Sequence, residues 1–214
     1  MISDLKKYYQ ERFADYSYSV EAVQYPSRAE QELRFRLLAR DIAATDFVVD
    51  VGCGFGDMLK YLRGIGFTGQ YLGLDFVDEF IASARKIHQQ DAASNFRVYN
   101  VLEDGPLPDC DVAVQSGIFN NALPEDQNWA FVTKCLKKMA AASRKSIAFN
   151  ALSTLVEFRD PDLFYTDPGE VMKICRSLMP FVSMRQDYVL REGGYPYELT
   201  VYASHSPIPL SETT

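Results

Sequence analysis

Three glycines at alternate positions, Gly52, Gly54 and Gly56, have the spacing that most clearly indicates chemistry. The segment 47–51 before them is apolar except for Asp50, and an apolar helical pattern begins directly after them. Glycine tolerates positive φ and has no Cβ, so such a turn lets a ligand lie against bare backbone. Free N–H groups at the start of the following helix face the same ligand. We therefore predict a buried strand, a ligand-binding turn and a helix.

The acidic residues around this turn discriminate between the two classes of ligand that use it. The dinucleotide motif G-x-G-x-x-G/A has a small residue at its third place, and this chain has Asp57 there. A pyrophosphate would also meet like charges from Asp50 and Asp57. A ligand that carries a cation and an amino group is attracted by the same carboxylates. An NAD-dependent reductase is therefore a less favoured alternative, and three alternate glycines disfavour a turn without a ligand.

The run Asp50-x-Gly52-x-Gly54-x-Gly56 resembles the first motif of class I S-adenosylmethionine-dependent methyltransferases, [D/E]-x-G-x-G-x-G. The resemblance implies S-adenosyl-L-methionine as the cofactor, bound along this turn and beside Cys53. It also implies in-line transfer of a methyl group to an acceptor, which we expect to be a small molecule. A non-catalytic adenosylmethionine-binding protein that regulates or assembles a partner would show the same turn and stays open as an alternative.

Residues that follow the second and third predicted strands are expected to bind the adenosine part of the cofactor, because ligands of such sheets lie at the carboxyl ends of the strands. Asp75 could accept both ribose hydroxyls, or else cap a helix as a surface residue. Phe76 could cover the adenine edge. Asn100 stands where the family often has an acidic residue, and its carbonyl oxygen could accept from the adenine amino group. The backbone N–H of Val101 or Leu102 could serve adenine N1.

The segment after the fourth strand faces both the methionine part of the cofactor and the acceptor. Ser116 and Gly117 are predicted contacts there, and Phe119 packs either on the cofactor or in the core. The pattern [D/N/S]-P-P-[F/Y], frequent at this place in enzymes that methylate base amino groups, is absent. Arg34 or Arg28 could clamp the methionine carboxylate, since guanidinium suits a planar carboxylate. The alternative for Arg34 is a solvated position on an exposed helix face.

A second resemblance, to a subgroup of small bacterial methyltransferases, covers most of the chain. It rests on Tyr25-Pro26-Ser27, Gln31, Arg34-Phe35, the run Ser-Gly-Ile-Phe-Asn at 116–120, and Phe149-Asn150. This resemblance does not indicate which molecule accepts the methyl group.

The tyrosines of the N-terminal segment are candidates for a lid or for one wall of the acceptor pocket, with Phe164-Tyr165 as the opposite wall. For Tyr8 and Tyr9, ordinary helix packing is the favoured alternative. His88 is expected at the surface and His205 in the tail, so neither is placed to act as a general base. A base, if one is used, would be a tyrosine or a carboxylate of the N-terminal segment.

The elements that must position these residues alternate between strand and helix along the chain. This order, with a hairpin-like pair of strands at its end, predicts an α/β fold with a doubly wound sheet. The resemblance implies that the sheet is seven-stranded and mostly parallel with the last strand antiparallel, which is the Rossmann-like methyltransferase fold. We expect one domain over 1–206, with an N-terminal helical cover at 1–44, a core at 45–206 and a tail at 207–214. The predicted strands are 47–51, 69–75, 95–99, 111–115, 145–150, 182–190 and 198–204. The predicted helices are 1–15, 26–42, 55–63, 78–89, 125–142 and 168–179.

Composition excludes several other classes of function. The chain has 214 residues and a net charge of −7, which disfavours a protein that binds nucleic acid by neutralising phosphates. Four separated cysteines and two histidines offer no clustered ligands, so we expect no metal site and free thiols in a reducing cytoplasm. No apolar run is long enough to span a membrane, and no signal peptide is recognised. The oligomeric state is left open.

Overall fold

The structure is a computed structural model that describes residues 2–124 and 127–207. Most of the expected tail, from residue 208 onward, lies outside the described residues. The strands are β1 (Val48–Val51), β2 (Tyr71–Asp75), β3 (Ser94–Val98), β4 (Cys110–Gln115), β5 (Ser143–Leu152), β6 (Phe181–Arg185) and β7 (Glu198–Ser204). The helices are α1 (Ile2–Tyr16), α2 (Arg28–Leu38), α3 (Asp57–Gly64), α4 (Asp78–Ile87), α5 (Asn128–Ala142) and α6 (Pro168–Leu178).

The seven strands form one sheet in the order β3-β2-β1-β4-β5-β7-β6. Neighbouring strands from β3 to β5 pair in parallel, whereas β7 pairs antiparallel with both β5 and β6. Six strands therefore run in one direction and β7 alone runs against them. This confirms the predicted doubly wound sheet with an inverted last strand.

Both faces of the sheet centre are buried, as the near-continuous apolar strands predict. All four residues of β1 are buried, and so are all five of β2. One core cluster packs α5 and α6 against one face, and a second packs α2, α3 and α4 against the other. The strand ends that carry the candidate residues are therefore held on a rigid base.

Several element boundaries differ from the sequence prediction, among them both ends of β5 and the end of α2, and two of the differences have identifiable reasons. Helix α2 begins at Arg28 rather than Pro26, because the Ser27 side chain accepts a hydrogen bond from the Glu30 N–H at 3.2 Å and caps the helix. Strand β6 ends at Arg185 rather than near residue 190. There the Gln186 side chain donates to the Pro196 carbonyl at 2.9 Å and turns the chain away from the sheet.

The N-terminal segment packs across the helix that follows β2. Phe13 contacts Phe80 of α4 with ring centroids 6.0 Å apart, and Lys6 pairs with Asp78. Within the described part of the chain, no helix combines the length and apolarity that a membrane crossing requires. The same residues contain no group of three or more histidine, cysteine, aspartate or glutamate side chains arranged to hold a metal ion.

Candidate functional site

All three glycines of the turn after β1 have positive φ, with values of 79°, 53° and 78°. A Cβ on Gly52 would lie 2.1 Å from Cγ2 of Ile118, and one on Gly54 would lie 3.0 Å from Cγ1 of Val23. Backbone conformation and space thus both require glycine at these two positions. The exposed backbone of the turn is the surface on which the sequence predicts the cofactor.

A cavity of about 530 Å³ opens at the carboxyl ends of the central strands. Eleven of the twelve predicted cofactor-binding residues line it: Arg34, Asp50, Gly52, Cys53, Gly54, Asp75, Phe76, Asn100, Val101, Ser116 and Gly117. The exception is Gly56, which precedes α3 and faces away from the cavity. A Cβ there would come within 2.7 Å of Phe96 and 2.8 Å of His88. Gly56 therefore serves close packing.

Asp75 links the end of β2 to the glycine turn. Its carboxylate accepts a hydrogen bond from the Gly54 N–H at 2.9 Å and another from the Val77 N–H at 3.0 Å. The side chain is buried, so the surface-cap alternative is wrong. Burial raises the Asp75 pKa to about 6, against the opposing effect of the two backbone donors. Each carboxylate oxygen keeps a lone pair for a further donor such as a ribose hydroxyl.

Asp50 provides a second buried carboxylate beneath the turn. The Tyr71 hydroxyl donates a hydrogen bond to it. Burial raises the Asp50 pKa to about 7, the tyrosine hydrogen bond lowers it, and the charge of Asp75 raises it further. Above about pH 7 both carboxylates are charged, and this end of the cavity attracts a cationic ligand.

The loop after β3 is held by its own side chains. The Asn100 side-chain oxygen accepts from the Leu102 N–H at 3.0 Å, and the Asn100 N–H donates to Asp104 at 2.7 Å. Of the two amides predicted to serve adenine N1, the one at Leu102 is therefore already bonded. The amide at Val101 is the better placed of the two.

Arg34 lies in the interior, and the surface alternative for it is wrong. The residue is 5% exposed, and its Nε donates to Glu198 at 2.9 Å. Arg28 likewise donates to Asp57 at 2.9 Å. Both arginines predicted as clamps for the methionine carboxylate already hold a carboxylate of the chain. The clamp function stays a prediction.

Ser116 and Gly117 are fixed by residues far away in the chain. The hydroxyls of Tyr25 and Ser116 are 2.8 Å apart, and the Gly117 N–H donates to the Asn150 side chain at 2.7 Å. Burial raises the Tyr25 pKa to about 12. Asn150 was noted in the sequence only through the subgroup resemblance, and its contact with Gly117 has no local sequence signal.

The structure decides between the two alternatives for Phe119 and corrects the expectation for His88. Phe119 is 1% exposed and packs against Phe131 and Phe149, so it belongs to the core rather than to the cavity. His88 is half-buried rather than at the surface, and its ring stacks on Phe96 with centroids 5.2 Å apart. Burial lowers the His88 pKa.

The N-terminal segment forms a roof over the cavity through a polar network. The Tyr9 hydroxyl donates to the Gln24 side-chain oxygen at 2.6 Å, and the Asn121 amide donates to the Tyr9 hydroxyl at 2.9 Å. Tyr9 lines the cavity, whereas Tyr8, Tyr16 and Tyr18 are partly exposed and do not.

On the opposite wall, Tyr165 lines the cavity and Phe164 packs on Trp129 with ring centroids 5.6 Å apart. Only one member of the predicted aromatic pair therefore faces the cavity.

Comparison with known proteins places this site in a family. Residues 48–142 match the family described as "Methyltransferase domain". The Mycobacterium tuberculosis protein named "Putative methyltransferase Rv1506c" is 34% identical over 157 residues, which are 70% of this chain and 92% of that protein.

Two solved structures share the fold. Magnesium protoporphyrin IX methyltransferase of Synechocystis PCC 6803, with bound S-adenosylhomocysteine, has a TM-score of 0.67, 13% identity and 94% coverage of each chain. A Burkholderia thailandensis 1,6-didemethyltoxoflavin N1-methyltransferase has a TM-score of 0.70 and 15% identity, covering 95% of this chain and 88% of its own. The glycine turn, its two buried carboxylates and this relationship together show that the chain is an enzyme of the class I S-adenosylmethionine-dependent methyltransferase family, with S-adenosyl-L-methionine as its cofactor.

Proposed function

We propose that the enzyme methylates a small-molecule acceptor bound in the half of the cavity that faces away from the glycine turn. The aromatic and apolar lining of that half is the observation that carries the proposal. Its walls come from the N-terminal segment, the end of β5, the loop at 153–167 and the loop before β7. The residues that line it are Tyr25, Leu152, Phe158, Leu163, Tyr165 and Tyr197. A mostly apolar cavity of about 530 Å³, shared by cofactor and acceptor, suits a compact organic molecule.

Charge supports the same conclusion. The net charge of −7 opposes the phosphate contacts on which nucleic-acid binding depends. Small molecules also belong to the similar structures: one is a magnesium protoporphyrin IX methyltransferase and one contains bound 1,6-didemethyltoxoflavin. Family membership argues against the NAD-dependent reductase and the non-catalytic alternative.

The residues of the glycine-turn half fit the cofactor. The backbone at Gly52 and Gly54 would hold its methionine part, Asp75 its ribose, and the Val101 amide its adenine. The buried carboxylates of Asp50 and Asp75 match the positive charges of the sulfonium and amino groups. When bound, the cofactor supplies an electrophilic methyl group. The protein then has to hold the acceptor in line with that methyl and exclude water, which is mainly a proximity effect.

The segment 1–44 acts in this proposal as a cover on a single domain that extends to residue 206. Val23 packs against Gly54, so the cover has to move when the cofactor enters. The short polar contacts of Tyr9, Gln24 and Asn121 would then close it again. Closure excludes water from the transferring methyl group.

Calorimetry followed by an activity screen tests the proposal. The purified protein should bind S-adenosylhomocysteine, and Gly54→Val should abolish binding because a side chain fills the turn. Gly105→Val is the matched control, since nothing lies within 4 Å of a Cβ at that glycine. Release of S-adenosylhomocysteine from S-adenosylmethionine should occur with members of a small-molecule library. Turnover with protein or nucleic-acid substrates alone would contradict the proposal.

A further inference from the structure

The side-chain oxygen of Asn120 is buried and has no hydrogen-bond partner among the described residues. Buried polar atoms are nearly always hydrogen-bonded, so an orphaned acceptor on a cavity wall points to a ligand that supplies the donor. Asn120 lines the cavity. Its backbone is anchored on both sides, because its N–H donates to the Gly117 carbonyl at 3.3 Å and its carbonyl accepts from the Phe164 N–H at 2.9 Å.

The Asn120 amide lies between the two halves of the cavity. A Cβ on Gly117 would be 3.8 Å from the Asn120 amide nitrogen and 3.5 Å from the Tyr25 hydroxyl. Gly117 follows β4, where the methionine part of the cofactor is expected, and Phe164 precedes Tyr165 of the acceptor wall. A ligand atom bonded to Asn120 therefore lies close to the place of methyl transfer.

The three carboxylates that line the cavity surround the glycine turn and do not belong to the loop of Asn120. They are Asp50 of β1, Asp57 at the start of α3 and Asp75 at the end of β2. Asp50 accepts from Tyr71, Asp75 accepts from backbone amides, and Asp57 accepts from Arg28. In the described part of the chain, no histidine lines the cavity.

The tyrosines beside Asn120 are equally poor proton acceptors. Burial raises the pKa of Tyr25 to about 12, and burial also raises the pKa of Tyr9. A tyrosine that keeps its proton at neutral pH cannot serve as a general base. Next to the methyl position, the loop of Asn120 thus offers an acceptor of hydrogen bonds, and neither Tyr25 nor Tyr9 beside it removes a proton at neutral pH.

We propose, building on the small-molecule function above, that Asn120 Oδ1 accepts the N–H of the nucleophilic nitrogen, and that the acceptor is an aromatic amine. Such a nitrogen is neutral at pH 7 and keeps its lone pair free. An aliphatic amine is protonated there, with an ordinary pKa of about 10.4. A hydroxyl would need a base, and a carboxylate would set its own lone pairs against the Asn120 oxygen.

The bonds and electrons of the methyl transfer can be accounted for without a proton acceptor in the protein. The nitrogen lone pair forms the N–C bond while the C–S bond breaks, and that electron pair stays on sulfur. The nitrogen becomes cationic, which turns its N–H···O bond to Asn120 into a stronger, charge-assisted one. The bond is therefore stronger in the transition state than in the ground state, and it accelerates transfer. The proton leaves to water afterwards.

A matched panel of acceptors tests the substrate class. Benzene and naphthalene compounds that carry an amine, a hydroxyl or a carboxylate at the same ring position are incubated with S-adenosylmethionine and the full chain. We expect S-adenosylhomocysteine release with amine members, at a rate that is constant between about pH 7.5 and 9 because no enzyme base titrates. Turnover confined to hydroxyl or carboxylate members would overturn the inference while leaving the small-molecule function intact.

Variants of Asn120 test its position. Asn120→Ala should lower kcat for the amine members about 10–100-fold, as loss of a charge-assisted hydrogen bond implies. Its affinity for S-adenosylhomocysteine should stay within about twofold, since Asn120 contacts the acceptor. Asn120→Asp keeps the oxygen and should retain more activity than Asn120→Ala. Asn95→Ala, at an exposed asparagine of β3, is the control. An unchanged kcat in Asn120→Ala would refute the role.

A binding measurement decides the case in which no panel member is turned over. The side-chain amide resonances of Asn120, identified by their loss in Asn120→Ala, are followed by NMR in the protein loaded with S-adenosylhomocysteine. Titration with the amine members should shift these resonances, and titration with the carboxylate members should not. Absence of a shift with every amine member would overturn the inference.

Discussion

The two halves of the cavity are built in different ways. The glycine-turn half consists of backbone: Gly52 and Gly54 have left-handed conformations, and Asp75 accepts from the Gly54 N–H 21 positions earlier in the chain. The acceptor half consists of side chains from separate segments, such as Tyr25 against Ser116 and Arg34 against Glu198. The first half depends on local geometry and the second on long-range pairing. Substitutions in the first should therefore affect cofactor affinity, and substitutions in the second should affect stability and the acceptor.

The largest effect is expected from a substitution that breaks the long-range pairing of Arg34 with Glu198. Arg34→Ala leaves the buried Glu198 without its ionic partner, which should lower the free energy of unfolding by about 3–5 kcal/mol. Urea denaturation measures this loss. Burial raises the Glu198 pKa, and Glu198→Gln in the Arg34→Ala background should restore part of the stability. If Arg34→Ala instead keeps its stability and loses cofactor affinity, Arg34 belongs to the cofactor half as a clamp for the methionine carboxylate.

A smaller effect is expected at Asp75, the carboxylate that contacts the backbone of the glycine-turn half. Asp75→Ala should weaken S-adenosylhomocysteine binding by about 1–3 kcal/mol, because two hydrogen bonds to the ribose would be lost. Isothermal calorimetry on the folded variant gives the value. Asp187→Ala, at an exposed aspartate after β6, is the control. Equal affinities for both variants would remove Asp75 from the ribose site.

The pH dependence of cofactor binding sharpens the same comparison. Burial raises the pKa of Asp50 to about 7 and that of Asp75 to about 6. A cationic ligand favours the charged carboxylates, so its affinity should fall as the pH drops below 7 and level off above it. S-adenosylmethionine, which has the sulfonium, should show a steeper decline than S-adenosylhomocysteine. Calorimetry between about pH 5.5 and 8.5 measures both, and identical profiles would contradict the electrostatic account.

The free energy of unfolding of the ligand-free protein should change with pH in the opposite direction to cofactor affinity. The cause is the same two groups, Asp50 and Asp75. Their folded pKa values lie above the ordinary value of 3.8. Protonation therefore stabilises the folded state. This contribution is fully present below about pH 3.8, and it is lost as the pH rises from there to about 7, since the unfolded chain releases these protons first. Unfolding free energies measured without cofactor should show this trend. Asp50→Asn should reduce it.

The smallest effect concerns the roof. Gln24→Ala removes the hydrogen bonds of Gln24 to Tyr9 and Asn121, and should loosen residues 17–25 at a cost of about 1 kcal/mol. Hydrogen exchange should rise in this segment and stay unchanged in the sheet. Faster exchange across β1 and β4 would show that the roof and the core form one cooperative unit.

Several features of the fold could be read from periodicity. Strand–helix alternation predicted all seven strands, because each element has its own hydrophobic repeat. The inverted last strand followed from the hairpin-like closing pair and from the family resemblance. The end of β6 and the start of α2 were placed wrongly, since Gln186 and Ser27 act through single side-chain bonds that no repeat reveals. Phe119 could not be assigned either, because an aromatic residue beside a ligand site and one in the core have the same local pattern.

By itself, the sequence determined the glycine turn, the carboxylates of Asp50 and Asp57 beside it, and hence the kind of cofactor. These depend on φ values and spacings within a few residues, and residue type dictates them directly. Only the tertiary structure decided that Arg34 meets Glu198 across 164 positions and that Tyr25 meets Ser116 across 91. The same holds for the Asn120 side-chain oxygen, which has no partner within 2–124 and 127–207. Such contacts depend on how whole helices and loops pack over the sheet, and no local pattern of residues encodes that packing.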